Sequence, residues 1–233
     1  MPEASELPAR GSLHAGALSR LRLRHLLAGT VLLAVLATAL LRGLVVDVYT
    51  VHQDSMLPTL DDGERILVDR GYPGEGGVQR GDIIVFDGTG SFAPYESGEG
   101  AFAQAMAQIG HWVGIGSPPD TYVKRVIGVE GDTVACCDEQ GRVTVDGEPL
   151  QEDYLFAPVD AQSPASETSF ESQVPPGRVW VMGDHREVSI DSRALLGAPG
   201  GGMISEDRII GRATDVFWPW GERRRLENGE NDG

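Results

Sequence analysis

Lysine is almost missing from this 233-residue chain: arginine fills 18 of the 19 basic positions, and Lys124 is the single exception. Basic residues of either kind are few against 35 acids, leaving a net charge of −16. So acidic a chain offers no basic surface to displace counterions from phosphates, which excludes nucleic-acid binding. Cysteine is scarce too. Only Cys136 and Cys137 occur, which excludes a disulfide-dense scaffold, and adjacent residues can pair with each other only under strain. They follow Gly131-Asp132-Thr133-Val134 in a predicted strand and read as packed thiols. No C-x-x-C or H-E-x-x-H spacing exists, so no metal or cofactor is expected.

Long apolar runs are equally rare, since only one approaches 18 residues. The first 25 residues are polar and end in Arg20, Arg22, Arg24 and His25; Leu26–Val46 then reads LLAGTVLLAVLATALLRGLVV. Twenty-one residues at about 1.5 Å each match a hydrocarbon core of roughly 30 Å, with Arg42 near the far end able to snorkel. The run exceeds a signal-peptide core, and no A-x-A-like exit follows it. It predicts an uncleaved, single-pass anchor in the phospholipid membrane, with the basic N-terminus cytoplasmic and residues 47–221 outside. Charge divides along the same line: net +3 over residues 1–46 and −18 over residues 47–221.

Beyond Asp47, short apolar runs are cut by Gly, Pro and Asp. Residues 65–69, 82–86, 122–129, 142–145, 178–182 and 209–217 read as strands, and Asp146-Gly147 as a hairpin turn. The expected fold is a mainly β, antiparallel domain behind one transmembrane helix. Within Gly88–Thr121, residues Phe102, Met106, Ile109 and Val113 suit a short amphipathic helix; Ala157–Pro176 reads as a long exposed loop and residues 222–233 as a disordered tail.

Three segments carry candidate chemistry. Ser55 lies in QDSMLPTL, no more than nine residues past the anchor and so within about 30 Å of the bilayer. A serine before proline is an ordinary turn former, and the G-x-S-x-G elbow is absent. Lys124 lies in YVKRVIG, where alternation puts it on one face with Tyr122 and Val126. If that face is buried, desolvation favours the neutral amine, which can take a proton from a serine hydroxyl. Arginine cannot lose its proton and lysine can, so one lysine kept among 18 arginines suggests a task that requires deprotonation. GDHREVSIDSR, residues 183–193, combines a turn with hydroxyls and alternating charge, and suits a polar network.

SMLPTL, RGDIIVF, YVKRVIGVEGD and GDHREVSIDSR, preceded by an anchor, resemble the four successive signature boxes of type I signal peptidases, in the family's order. The resemblance implies a Ser/Lys-dyad endopeptidase that removes signal peptides from exported preproteins at the outer membrane surface. It implies Ser55 as nucleophile, Lys124 as general base, Ser189 orienting the lysine amine, an Asp191–Arg193 supporting pair and an Arg125–Asp184 pair. The oxyanion would be held by the Ser55 N–H, with Gln53 standing where some members place a second hydroxyl donor. Val51, Met56, Leu60, Tyr122 and Val123 would line pockets for A-x-A-like residues. His185 departs from the asparagine common at its place.

A Ser-His-Asp hydrolase is the nearest rival, but His52, His111 and His185 sit in no triad context, and a cysteine peptidase built on Cys136 or Cys137 fares worse. Self-cleaving repressors share the dyad but need a DNA-binding module. A membrane-anchored binding protein with an inactive peptidase-like fold would require loss of the dyad, whereas Ser55, Lys124 and Ser189 are all present.

Overall fold

In the computed structural model the described residues are 24–35, 37, 46–92 and 120–227. The chain divides into two compact units, residues 1–44 and 45–233. In the first, residues 24–35 are helical and their side chains exposed, among them Leu26, Leu27, Val31, Leu32, Leu33 and Val35. Among the described residues no helix is long and apolar enough to cross a membrane. Residues 36 and 38–45 of the expected anchor lie outside the described residues.

The second unit is built from twelve strands: β1 (Val46–Thr50), β2 (Arg65–Asp69), β3 (Ile83–Asp87), β4 (Thr121–Gly128), β5 (Thr133–Cys136), β6 (Val143–Val145), β7 (Glu148–Pro149), β8 (Phe170–Gln173), β9 (Arg178–Met182), β10 (Ile204–Ser205), β11 (Ile209–Trp218) and β12 (Arg224–Arg225). Eight form one sheet in the order β1-β2-β11-β3-β4-β9-β10, with β12 added to β11; the other four form a smaller sheet, β7-β6-β5-β8. Every pairing is antiparallel, so the mainly antiparallel β expectation holds.

The unbroken apolar run in RGDIIVF has a physical cause. Successive strand residues point to opposite faces, and the large sheet is covered on both. Ile83 and Val85 pack with Tyr49, Met56, Leu60, Ile66 and Val216. Ile84 and Phe86 pack with Val126, Val179, Val181 and Ile204. A third cluster joins the sheets: Ile127, Trp180 and Met182 from the large one meet Val134, Val143, Val145 and Phe170 from the small one, and Phe170 stacks on Trp180 at 5.1 Å. The hairpin at Asp146-Gly147 forms as expected, with both residues at positive φ (54° and 85°) between β6 and β7.

Four expectations are corrected. Val46 opens β1, paired with Asp69, instead of closing an apolar helix. Ala157–Pro176 is not wholly exposed loop: β8 lies inside it, and Ala165, Phe170 and Val174 are buried, because three apolar residues spaced through a polar stretch suffice to dock it. Cys136 and Cys137 are joined in a disulfide rather than standing as free thiols; β5 ends at Cys136, so Cys137 is released from the strand's alternation. The chain also stays structured past residue 221. β12 pairs with β11, Arg224 grips both carboxylate oxygens of Glu64, and Leu226 is buried in the core. The amphipathic segment around residues 102–113 lies outside the described residues.

The buried terminal anchor has a measurable consequence. Leu226→Ala should lower unfolding free energy by about 2–3 kcal/mol, read from the denaturant midpoint; an unchanged midpoint would show that the terminal strand contributes nothing.

Candidate active site

The turn between β1 and β2 contains a single turn of 3-10 helix, Asp54–Met56, whose apolar Met56 is sunk in the core and carries Ser55 down with it. On the neighbouring β4, Lys124 pairs in register with Ile84 and is 1% exposed. Its Nζ lies 2.5 Å from Ser55 Oγ, in a hydrogen bond between residues 69 positions apart. Burial pushes the Lys124 amine down from its ordinary 10.5 to about 8, opposed by the charges of Asp191 and Asp184 and aided by Arg193.

Those two carboxylates are themselves engaged. Arg125 donates from Nε to Asp184 Oδ1 at 2.9 Å and from its terminal nitrogen to Oδ2 at 2.7 Å. It also donates to the Gly81 carbonyl at 2.9 Å and stacks over the Tyr154 ring at 3.9 Å, while Thr59 donates to Asp184 Oδ2. Arg193 grips Asp191 through two nitrogens, at 2.8 and 2.7 Å. Burial alone would raise the Asp191 pKa, but the Arg193 hydrogen bonds and charge, with the Gly183 N–H, bring it below the ordinary carboxylate value. Two arginine forks therefore compensate the two carboxylates whose charges bear on the lysine.

Gly183 sits where residues 183–193 press on the Ser55 turn. A Cβ there would come within 2.3 Å of the Ser55 carbonyl oxygen and of Ser189 Oγ, so only glycine permits this approach. Ser189 Oγ is buried beside the Asp191 carboxylate, whose pKa it helps to lower. The bond to the Lys124 amine that the resemblance implied is not made; the amine bonds Ser55 Oγ instead.

Beside Ser55 opens a cavity of about 110 Å³ lined by Tyr49, Thr50, Val51, His52, Gln53, Ser55, Met56, Thr121, Tyr122 and Val123. Val51, Met56, Tyr122 and Val123 are among its walls. Leu60 does not line it: that side chain is fully buried in the core behind Met56. Gln53 lines the cavity and is exposed, and its side chain makes no capping bond to the turn. Tyr49, Thr50, Thr121 and the Thr59–Asp184 link were missed. Alternation back from Val51 would have found Tyr49, had residues 46–50 been read as strand.

As for metals, Asp61, Glu64 and Glu222 are close enough to share an ion, but Glu64 already binds Arg224 and the Asp61 N–H. Of the three, Asp61 and Glu222 are exposed and Glu64 is buried against Arg224.

Known proteins resemble this chain over most of its length. The sequence model of the family described as signal peptidase, peptidase S26, matches residues 23–218. The signal peptidase I of Mycobacterium tuberculosis is 37% identical over 201 residues, covering 76% of this chain and 68% of that one. Signal peptidase I U of Bacillus subtilis is 35% identical over 182 residues, covering 77% and 79%. Signal peptidase IB of Staphylococcus aureus is 32% identical over 200 residues, covering 80% and 85%. By the length of the match and the level of identity, this chain belongs to the signal peptidase family, peptidase S26.

Proposed function

We propose that the chain is a membrane-anchored serine endopeptidase that removes N-terminal signal peptides from exported preproteins, with Ser55 as nucleophile and Lys124 as general base. The observation that carries this reading is the buried Lys124 amine hydrogen-bonded to Ser55 Oγ. The exposed apolar side chains among residues 26–35 support an anchor in a phospholipid membrane, since so apolar a helix surface has no stable place in water. On this reading the anchor starts at residue 26 and ends before β1 opens at Val46, the N-terminus stays cytoplasmic, and the β unit works outside.

The chemistry follows from the pocket. An extended preprotein segment lies along residues 49–51 and 121–123, its small side chains entering the cavity beside Ser55. Neutral Lys124 accepts the Ser55 proton as Oγ attacks the carbonyl carbon after the small residue. The Ser55 N–H holds the oxyanion, and the Gln53 amide is near enough to the cavity to swing in as second donor. Lys124, now an ammonium, gives its proton to the leaving amine; the Ser189 hydroxyl, buried beside Asp191, steadies it meanwhile. Water, deprotonated by the same amine, then hydrolyses the acyl-enzyme. No step calls on a metal or cofactor.

Ser55→Ala and Lys124→Arg should each abolish cleavage of a preprotein while leaving the circular dichroism spectrum unchanged. Substantial turnover by a folded Lys124→Arg protein would remove the lysine from the chemistry.

Because the neutral amine is the active form, kcat/KM should climb tenfold per pH unit below about 8 and level off above it. A profile flat from pH 6 to 10 would point to a different base.

The same burial affects stability with a definite sign. Folded Lys124 releases its proton near pH 8, whereas in the unfolded chain it does so near 10.5. Between those values the unfolded state holds more protons, so stability rises with pH, and the full penalty is present below 8. Lys124→Met should therefore raise stability at pH 6.5 by on the order of 2 kcal/mol. The gain should shrink toward zero by pH 10.5 in melting experiments across that range. A gain independent of pH would mean that the lysine's charge carries no penalty.

A further inference from the structure

His185 belongs to none of the interactions used so far, yet it touches the nucleophile's turn twice. Its main-chain N–H donates to the Ser55 carbonyl at 3.1 Å. Its ring Nδ1 lies 3.2 Å from the Asp54 carbonyl oxygen. A carbonyl can only accept, so Nδ1 carries the proton in this contact. The ring is held in place by stacking on Phe156, with centroids 4.0 Å apart and planes inclined by 29°. Phe156 is fixed in turn by its N–H donating to the Asp184 carbonyl at 3.2 Å.

The Asp54 carbonyl and the Ser55 N–H are opposite ends of one planar unit. That peptide is trans, since it is not among the cis bonds of the chain, so its C=O and N–H point in opposite directions. A grip on the carbonyl therefore fixes where the N–H points. Within the turn itself that carbonyl is held by one bond, from the Leu57 N–H at 3.2 Å, and the capping residue, Gln53, adds no side-chain bond. We propose that His185 is a positioning residue that aims the Ser55 N–H as the oxyanion donor, by donating from Nδ1 to the Asp54 carbonyl behind it. Donation to that carbonyl also polarises the unit and makes its N–H a stronger donor. This inference rests on Ser55 being the nucleophile.

Two substitutions separate the donor from the ring. His185→Phe keeps the stack on Phe156 and puts a carbon in place of Nδ1. His185→Asn loses the stack but places an amide nitrogen one bond from Cγ, as Nδ1 is. The main-chain bond to Ser55 survives both. With the full-length chain in detergent and a preprotein substrate, His185→Phe should lower kcat about 10- to 100-fold with KM nearly unchanged. His185→Asn should recover most of that loss. Affinity for a substrate-like peptide aldehyde should fall with kcat. There Ser55 Oγ bonds to the aldehyde carbon, its proton passes to Lys124, and the former carbonyl oxygen takes the oxyanion position.

A folded His185→Phe enzyme with wild-type kcat overturns the proposal. So does equal impairment of both variants with undiminished aldehyde affinity. If His185→Phe does not fold, the aldehyde affinity of His185→Ala against His185→Asn decides: equal values overturn the proposal, and tighter binding by Asn supports it. Failure of the underlying reading looks different, because wild-type cleavage would then persist in Ser55→Ala.

Discussion

An amine in a dry place is the constraint on which this structure turns. Burying Lys124 disfavours its ammonium, while any carboxylate left bare nearby would restore it. Asp184 and Asp191 are both near enough to act on the lysine, and each is held in an arginine fork. Arginine suits that duty because its planar guanidinium answers both oxygens of a carboxylate and never titrates in the working range. The near-exclusive use of arginine and the single lysine are thus two sides of one division of labour. Arg125 and Lys124 are neighbours on β4 with opposite tasks: one must stay charged to neutralise Asp184, the other must be able to lose its charge.

The forks also hold the backbone in position. Asp191 receives the Gly183 N–H at 3.0 Å, and Gly183 lies against the Ser55 carbonyl. Asp184 receives Thr59 from the far end of the Ser55 turn, and Arg125 reaches on to the Gly81 carbonyl in the approach to β3. Segments distant in sequence thus meet at two carboxylates. Breaking one side of such a buried pair leaves an uncompensated charge, which typically costs about 3–5 kcal/mol. The penalty for burying Lys124 has the opposite sign from these interactions, so the surrounding network must be firm enough to hold a group that solvent would prefer to reclaim.

Much of this was legible in the sequence because it rests on local pattern. Short apolar runs bounded by Gly, Pro and Asp placed β2, β3, β4, β9 and β11 within about a residue of their true bounds, and Asp146-Gly147 announced its turn. The four motif segments named Ser55, Lys124, Asp191 and Arg193. What stayed hidden depends on partners remote in sequence. β8 and β12 are short, polar runs that become strands only because β5 and β11 offer them an edge. Leu60 has the composition of a pocket wall, but the turn's path puts it behind Met56. His185 reads as any histidine in a charged loop until Asp54 is seen behind its Nδ1.

The walls of the cavity beside Ser55 bear on the proposed selectivity for small side chains. Val51 and Met56 belong to the same packed core as Ile66, Val68 and Val85, and Val123 packs against it. The cavity's apolar side is thus the outer surface of a well-filled interior rather than a set of loop side chains free to swing away. Close-packed interiors yield little to an added methylene, so a larger substrate residue would have to displace the core that also seats Ser55. Misfit at the pocket and misplacement of the nucleophile become the same event. Discrimination against bulky residues would then fall on the rate of acylation as well as on binding, because the wall that rejects the side chain also positions the attacking oxygen.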